Sequence, residues 1–403
     1  MARHIAHLDM DAFYASVELL RYTELRGCPL VIGGGRRHQP QVRPDGSLRF
    51  ARLGDYAGRG VITTATYEAR AFGVGSGMGL MRAAALCPHA VLLPTDFDEY
   101  RRYSRLFKAA VATIAPVIED RGIDEIYVDL TGMVGVDADG GRAIALRIKQ
   151  AVREATGLTC SIGLTPNKLL SKLASELDKP DGLTILGAAD IPARIWPLPA
   201  SRINGIGPKA SARLAALGIR TIGELAAADR LELIARFGPS YGVWLHEAAH
   251  GRDQRPVVTA SAPKSISRET TFERDLHPLR DRAQLSEIFT RLCERVAQDL
   301  ERKGYVGRTI GIKLRFEDFS TVTRDRTLPA HTADAREIRR AATECLKRVA
   351  LTRRLRLLGV RVGSLERRER ACATPSGGRA AAPAQVREPG STDPLPLFDQ
   401  PRQ

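Results

Sequence analysis

The sequence has no CxxC pair and no cysteine–histidine cluster at metal-ligand spacing; its six cysteines stand apart, at 28, 87, 160, 293, 345 and 372. That scatter excludes a zinc site and a disulfide framework, and it fits a reducing compartment. Long apolar runs are missing too: nothing approaches the roughly 18 residues of a membrane-spanning helix. Asp9 falls where a signal peptide would need its apolar segment, so a cytoplasmic location is expected. Negative charge is also short, with 46 Asp and Glu against 61 Lys and Arg, a formal +15. Nucleic acid is the first partner such an excess suggests, although a ribosomal protein or a membrane-surface protein would carry the same charge. At 403 residues the chain is too long for one core and should divide into two to four domains.

Periodicity organises those domains. Ile5 to Leu8 reads as a buried strand and Ala12 to Arg21 as a helix, with Asp11 as its expected cap. Pro29 to Ile32 and Val61 to Ala65 read as strands. Between them, residues 36–59 are basic, punctuated by Pro and Gly, and aperiodic, which predicts an exposed loop. Helices are expected over Glu99 to Ala115 and Gly141 to Thr156, with strands over Glu125 to Leu130 and Thr159 to Gly163. From Ala200 to Gly251, short helical patterns broken by glycines predict a small all-helical domain. Residues 251–265 have linker composition. Beyond them, Leu285 to Lys303 and Ala333 to Val349 read as helices, and Thr309 to Phe316 and Leu357 to Val362 as strands. Residues 264–366 hold 23 basic and 15 acidic side chains, a local excess of +8. From residue 367 onward the composition cannot build a core, apart from an apolar island at Pro394 to Phe398.

Two acidic sites stand against apolar strand sequence, where a bare carboxylate is costly to desolvate: Asp9, and the pair Asp124 and Glu125. Spacing alone leaves two readings open. The acids end strands and turns in solvent, or they converge on Mg²⁺, a hard ion that prefers oxygen ligands.

The words around those acids carry more. His7-Leu-Asp-Met-Asp-Ala-Phe-Tyr-Ala-Ser-Val-Glu18, together with Gly122-Ile-Asp-Glu-Ile-Tyr-Val-Asp129, resembles the Y-family DNA polymerases in their DinB-type branch. The resemblance runs in order to about residue 366. It implies an α+β multidomain right-hand polymerase: palm over 1–11 and 95–186, fingers over 12–94, helical thumb over 187–252, linker over 253–263, and a C-terminal α+β little finger over 264–366. It implies a low-fidelity, template-directed DNA polymerase for translesion synthesis that adds dNTPs to a primer 3′-hydroxyl. Asp9, Asp124 and Glu125 would then be catalytic ligands of two Mg²⁺ ions, with the Met10 backbone carbonyl as a further oxygen, and Asp11 would be the cap rather than a ligand. Tyr14 matches the steric gate against ribonucleotides, and Phe13 a neighbour in the same pocket.

Thr63-Thr-Ala-Thr-Tyr-Glu-Ala-Arg70 is similar to the fingers motif that holds the triphosphate, which assigns nucleotide contacts to Thr64, Tyr67 and Arg70 on one side of a helix-like segment. Lys179 matches a lysine reaching the triphosphate from the palm. Ile203-Asn-Gly-Ile-Gly-Pro-Lys-Ala210 resembles a helix-hairpin-helix, making Gly205, Gly207 and Lys209 DNA-backbone contacts. Small residues Ala12, Thr63, Thr66, Gly75 and Ser76 are expected to roof an open nascent base pair. Leu395, Leu397 and Phe398 resemble the apolar anchors of a sliding-clamp peptide, with Pro394 where that peptide usually has Gln. A monomer is expected. No second carboxylate cluster has exonuclease spacing, so no proofreading is expected. A non-catalytic adaptor on the same scaffold would lack the metal acids, and all three are present. One departure is the segment 36–59, longer than the usual connection by about 20 residues and expected to be tolerated surface.

Overall fold

A computed structural model describes residues 3–35, 38–136 and 139–368. The chain divides into two compact units, residues 1–260 and 261–403.

The first unit is built on a five-stranded sheet in the order Leu183–Ile185, Cys160–Thr165, Ile5–Met10, Glu125–Asp129, Ile118–Asp120. The central strand Ile5–Met10 runs antiparallel to both neighbours. Strand alternation divides its residues between two faces. Ala6, Leu8 and Met10 join a core with Tyr100 and Phe107 from the helix Phe97–Ala112, and with Ile144 and Ile148 from the helix Arg142–Thr156. His7 and Asp9 point the other way, toward the helix Lys168–Ser175, whose Ser175 bonds His7 at 2.8 Å. Gly163 makes that approach possible: a Cβ there would sit 2.1 Å from the Ser171 carbonyl oxygen. Tyr127 is buried beneath His7, with ring centroids 4.8 Å apart.

The helix Phe13–Arg21 packs in the same core as the sheet. Asp11 does not cap it. The cap position is Ala12, and the buried Asp11 carboxylate instead accepts from Thr159 Oγ1 and Ser161 Oγ, both at 2.7 Å, and from the Asp181 amide at 2.8 Å. Buried hydroxyls of the neighbouring strand compete better for it than the helix's own amides do.

A second sheet has the order Ala51–Arg52, Val91–Leu93, Leu30–Gly33, Ile62–Ala65. Its outermost strand comes from the segment expected to be an exposed loop. Gln41–Val42 and Leu48–Arg49 form a hairpin, Ala51–Arg52 pairs with Val91 and Leu92, and Leu53 and Tyr56 are buried. Alternating short apolar and basic residues over so few positions hid this structure from periodicity. Arg36 and Arg37 lie outside the described residues.

Four short helices follow, Pro208–Ala216, Ile222–Ala227, Arg230–Phe237 and Pro239–Ala249. They share one core with Leu169, Leu170 and Leu173 of the helix Lys168–Ser175, so the all-helical region is rooted in the helix that packs on the five-stranded sheet. Nor are residues 253–258 a free linker. Leu169 donates its amide to Asp253 Oδ2 at 3.0 Å, Lys168 reaches the Pro256 carbonyl at 3.3 Å, and Val258 donates to Glu119 at 2.8 Å.

The second unit is an antiparallel sheet in the order Ser265–Leu276, Leu355–Arg367, Tyr305–Phe316, Thr321–Thr332. The helices Arg282–Lys303 and Ala335–Leu346 cover one face through Phe289, Val296, Ile338 and Cys345. Among the described residues, no helix is long and apolar enough to cross a membrane.

Candidate active site

Asp9 and Glu125 are direct partners across the antiparallel pair of central strands, so their side chains leave the sheet on one face. Asp124 immediately precedes the second strand, and its carbonyl accepts from the Met10 amide at 3.0 Å. The three acids, read from two distant stretches of sequence, therefore meet at one end of two paired strands. His7 Nε2, Asp9 and Glu125 place ligand atoms within 4.8 Å of one another.

Cations balance these carboxylates. Lys179 Nζ lies 2.8 Å from Asp9 Oδ1 and 2.7 Å from Glu176 Oε1. Glu125 is bonded by Lys172 and lies 3.3 Å from His7 Nε2. The His7 hydrogen bond, supported by Lys172, holds the Glu125 carboxyl down to about 2 despite its partial burial. Burial raises the Asp9 carboxyl, and Lys179 works against that rise. Burial also raises Asp124, and the neighbouring Glu125 charge adds to it. Lys179 is pulled down by burial, yet Asp9 and Glu176 together push it up to about 12. This is a dense, partly dry group of acids whose charge asks for cations. Lys172 and His7 were not singled out from the sequence. Helical spacing from Lys168, and the alternation that puts His7 on the Asp9 face, were the available signals.

Tyr14 stands beside the acids on the helix Phe13–Arg21. Its ring stacks on Tyr100, with centroids 4.3 Å apart and planes 22° from parallel, and meets the edge of Phe97 at 5.9 Å. Tyr100 donates its hydroxyl to the buried Glu18 at 2.8 Å. The gate-like ring is thus braced from behind by a side chain that sequence spacing did not reveal. Phe13 is buried against Tyr100 and Phe107, so it supports Tyr14 from the core instead of lining open space.

Thr64, Tyr67 and Arg70 do not share one helical side. Thr64 belongs to the strand Ile62–Ala65, while Tyr67 opens a single-turn helix capped by Thr66, whose Oγ1 accepts from the Ala69 amide. Arg70 folds back over the Tyr67 ring at 4.7 Å and donates Nε to the Ala65 carbonyl at 3.0 Å. The Tyr67 hydroxyl is buried without a hydrogen-bond partner among the described residues, and burial pushes it up to about 12. Of the expected roof, Thr66 and Ala12 are buried, whereas Ser76 is exposed.

In the helical region, Gly205 has φ +116° and a Cβ there would lie 2.7 Å from Trp244. Gly207 precedes the helix Pro208–Ala216, and Lys209 is exposed on its first turn. Ile203 and Ile206 are buried, anchoring the turn and leaving its backbone outward. Leu395, Leu397 and Phe398 lie outside the described residues.

Acids gathered at one end of paired strands fit a metal-dependent enzyme, and comparison with known proteins gives its class as a DNA polymerase. Residues 8–176 match the impB/mucB/samB family, and residues 263–373 match that family's C-terminal domain. A DNA polymerase IV of Methanoculleus marisnigri is 42% identical over 91% of this chain and 95% of its own length. A DNA polymerase IV of Caulobacter vibrioides is 39% identical over 88% and 82%. A solved Y-family DNA polymerase chimera, 24% identical, superposes with a TM-score of 0.74 over 90% of this chain and 98% of the other. The chain belongs to the impB/mucB/samB family, together with relatives named DNA polymerase IV.

Proposed function

We propose that the protein is a DNA-directed DNA polymerase of translesion synthesis whose chemistry is carried by Asp9, Asp124 and Glu125. The observation that carries the reading is the direct cross-strand pairing of Asp9 with Glu125, with Asp124 at the adjoining strand end. Asp9, Asp124 and Glu125 with the Met10 carbonyl would offer an all-oxygen donor set, which suits hard divalent ions, while His7, close to Asp9 and Glu125, supports Glu125 from the side. Two Mg²⁺ ions held there would activate the primer 3′-oxygen and neutralise the departing pyrophosphate.

The chain's own residues do the rest. Tyr14, braced by Tyr100, occupies the space a ribose 2′-hydroxyl would need. Thr64, Tyr67 and Arg70 hold the triphosphate from the fingers, the Tyr67 hydroxyl supplying a donor that has no partner among the described residues. Lys179 exchanges the Asp9 carboxylate for a phosphate oxygen. Backbone amides around Gly205 and Gly207, with Lys209, grip the DNA backbone without reading sequence. The basic second unit adds phosphate contacts. A monomer acting on primer–template DNA in the cytosol, without proofreading, and docking on a sliding clamp through Leu395, Leu397 and Phe398 completes the reading.

The test is extension of a labelled primer–template with Mg²⁺ and dNTPs by the wild type and by an Asp124→Ala, Glu125→Ala variant. Synthesis by the first only, with equal DNA binding by both, is expected. A wild type that binds primer–template but adds nothing with Mg²⁺ or Mn²⁺ would overturn the assignment in favour of an adaptor.

A further inference from the structure

Residues 178–182, which carry Lys179, are fastened from the far side of the sheet by side chains with no evident part in the chemistry. Lys149, on the helix Arg142–Thr156, spends all three ammonium protons here: 2.6 Å to the Cys160 carbonyl, 2.7 Å to Asp181 Oδ1 and 3.2 Å to the Gly182 carbonyl. Arg153, four residues on and so on the same helical face, donates to Asp181 Oδ2 at 2.5 Å. Asp11 accepts the Asp181 amide at 2.8 Å, and the Gly182 amide reaches Ser161 Oγ at 3.1 Å. Asp181 itself sits at φ +55°, a left-handed conformation that a non-glycine residue keeps only when its surroundings impose it. Within the same turn, Thr184 donates to Asp178. The Lys179 ammonium takes no part in this fastening and points to Asp9 and Glu176.

We infer that Lys149, with Arg153, is a positioning device for the nucleotide: through the Asp181 carboxylate it sets the height and direction from which Lys179 meets the triphosphate. The inference rests on the nucleotide role proposed for Lys179. Lys149 is 14% exposed and bonds the Cys160 carbonyl of the neighbouring strand as well as the turn, none of them expected to contact substrate, so its effect reaches Lys179 through the turn. A lysine held at one point by a clamped turn can exchange the Asp9 carboxylate for a phosphate oxygen by rotating its side chain alone. Released from the clamp, the turn relaxes from its left-handed residue and carries the ammonium off target, a misplacement of the kind that costs one to two orders of magnitude when about 1 Å.

Single-nucleotide incorporation kinetics on a primer–template test this with Lys149→Met, Lys179→Ala, the double variant and Lys149→Arg. Lys179→Ala should raise the dNTP KM about tenfold, and Lys149→Met should raise it about fivefold with kcat within about twofold, the pattern of lost binding. The double variant should be no worse than Lys179→Ala alone, because both act through one ammonium. Lys149→Arg, which keeps the donors, should recover most of the loss. If Lys179→Ala leaves KM unchanged, the nucleotide role of Lys179 fails and this inference with it. If Lys179→Ala raises KM but Lys149→Met does not, or if the two losses multiply, the positioning role alone is overturned. Arg153→Met, removing the more exposed half of the clamp, gives the same comparison should Lys149→Met not fold.

Discussion

Removing Lys168 while leaving Glu119 in place should destabilise the first unit by about 3 kcal/mol, for reasons visible in the pair's surroundings. The two side chains are 7% and 8% exposed and meet through both carboxylate oxygens, at 2.7 and 2.6 Å. Lys168 also lies over the Tyr127 ring at 4.9 Å. With Lys168→Met, the Glu119 carboxylate keeps only the Val258 amide at 2.8 Å and a largely exposed Arg121 at 3.5 Å. An uncompensated buried charge costs about 3–5 kcal/mol, and those two remaining contacts place the expectation at the lower end. For a unit of this size a urea slope of roughly 3 kcal/mol per M converts this into a midpoint shift of about 1 M. Both tryptophans, Trp196 and Trp244, lie in the first unit, so intrinsic fluorescence follows that unit alone. The Glu119→Gln, Lys168→Met double variant, with both charges gone, should recover to within about 1 kcal/mol of wild type. Hydrogen exchange should quicken at the Val258 and Leu169 amides in the single variant, because residues 253–258 hang on this pair. A single variant losing less than about 1 kcal/mol, or a double variant as unstable as the single, would refute the claim that the pair is dry.

Two further outcomes are expected. Tyr14→Ala, which empties the space behind the proposed gate, should raise ribonucleotide incorporation relative to dNTP at least about tenfold in primer extension, while Phe97→Ala, which only loosens the brace, should do less. In the second unit, Arg274 grips Asp281 through both oxygens and, with the His277 amide, holds its carboxyl at about 2. Asp281 therefore adds stability above the unfolded carboxyl value of about 3.9 that fades as pH falls toward 2. The melting-temperature gap between wild type and Asp281→Asn should accordingly close over that window, and a gap constant from pH 6 to 2 would count against the assignment.

Most of the catalytic sheet is legible in the sequence because its strands are buried and apolar, and because the acids interrupt that pattern where a strand ends. What escapes is set by solvent and by distance. In the second unit, periodicity finds the two inner strands, which alternate cleanly, and misses Ser265–Leu276 and Thr321–Thr332. Those two are the sheet's edges, wet on one face and along one side, so their residues are mostly polar. Asp11 shows a different limit: its position before a helix predicts a cap, yet its partners Thr159, Ser161 and Asp181 are about 150 residues away or more, and local rules do not see them. The brace of Tyr100 behind Tyr14 and the lysines around the acids are long-range for the same reason. The spacing of Thr64, Tyr67 and Arg70 predicts one side of a helix-like segment, but the chain turns from strand to helix between Thr64 and Tyr67.

The segment from Gln41 to Tyr56 bears on which deletions the chain would tolerate. Ala51–Arg52 covers the outer edge of Val91–Leu93, and Leu53 and Tyr56 fill the core behind it. A covered strand does not need the charges or prolines that keep a bare edge from sticking to other chains. Excising Ala51 to Tyr56 would therefore uncover an apolar, unguarded strand, whereas trimming only the hairpin over residues 41–49 leaves the edge closed.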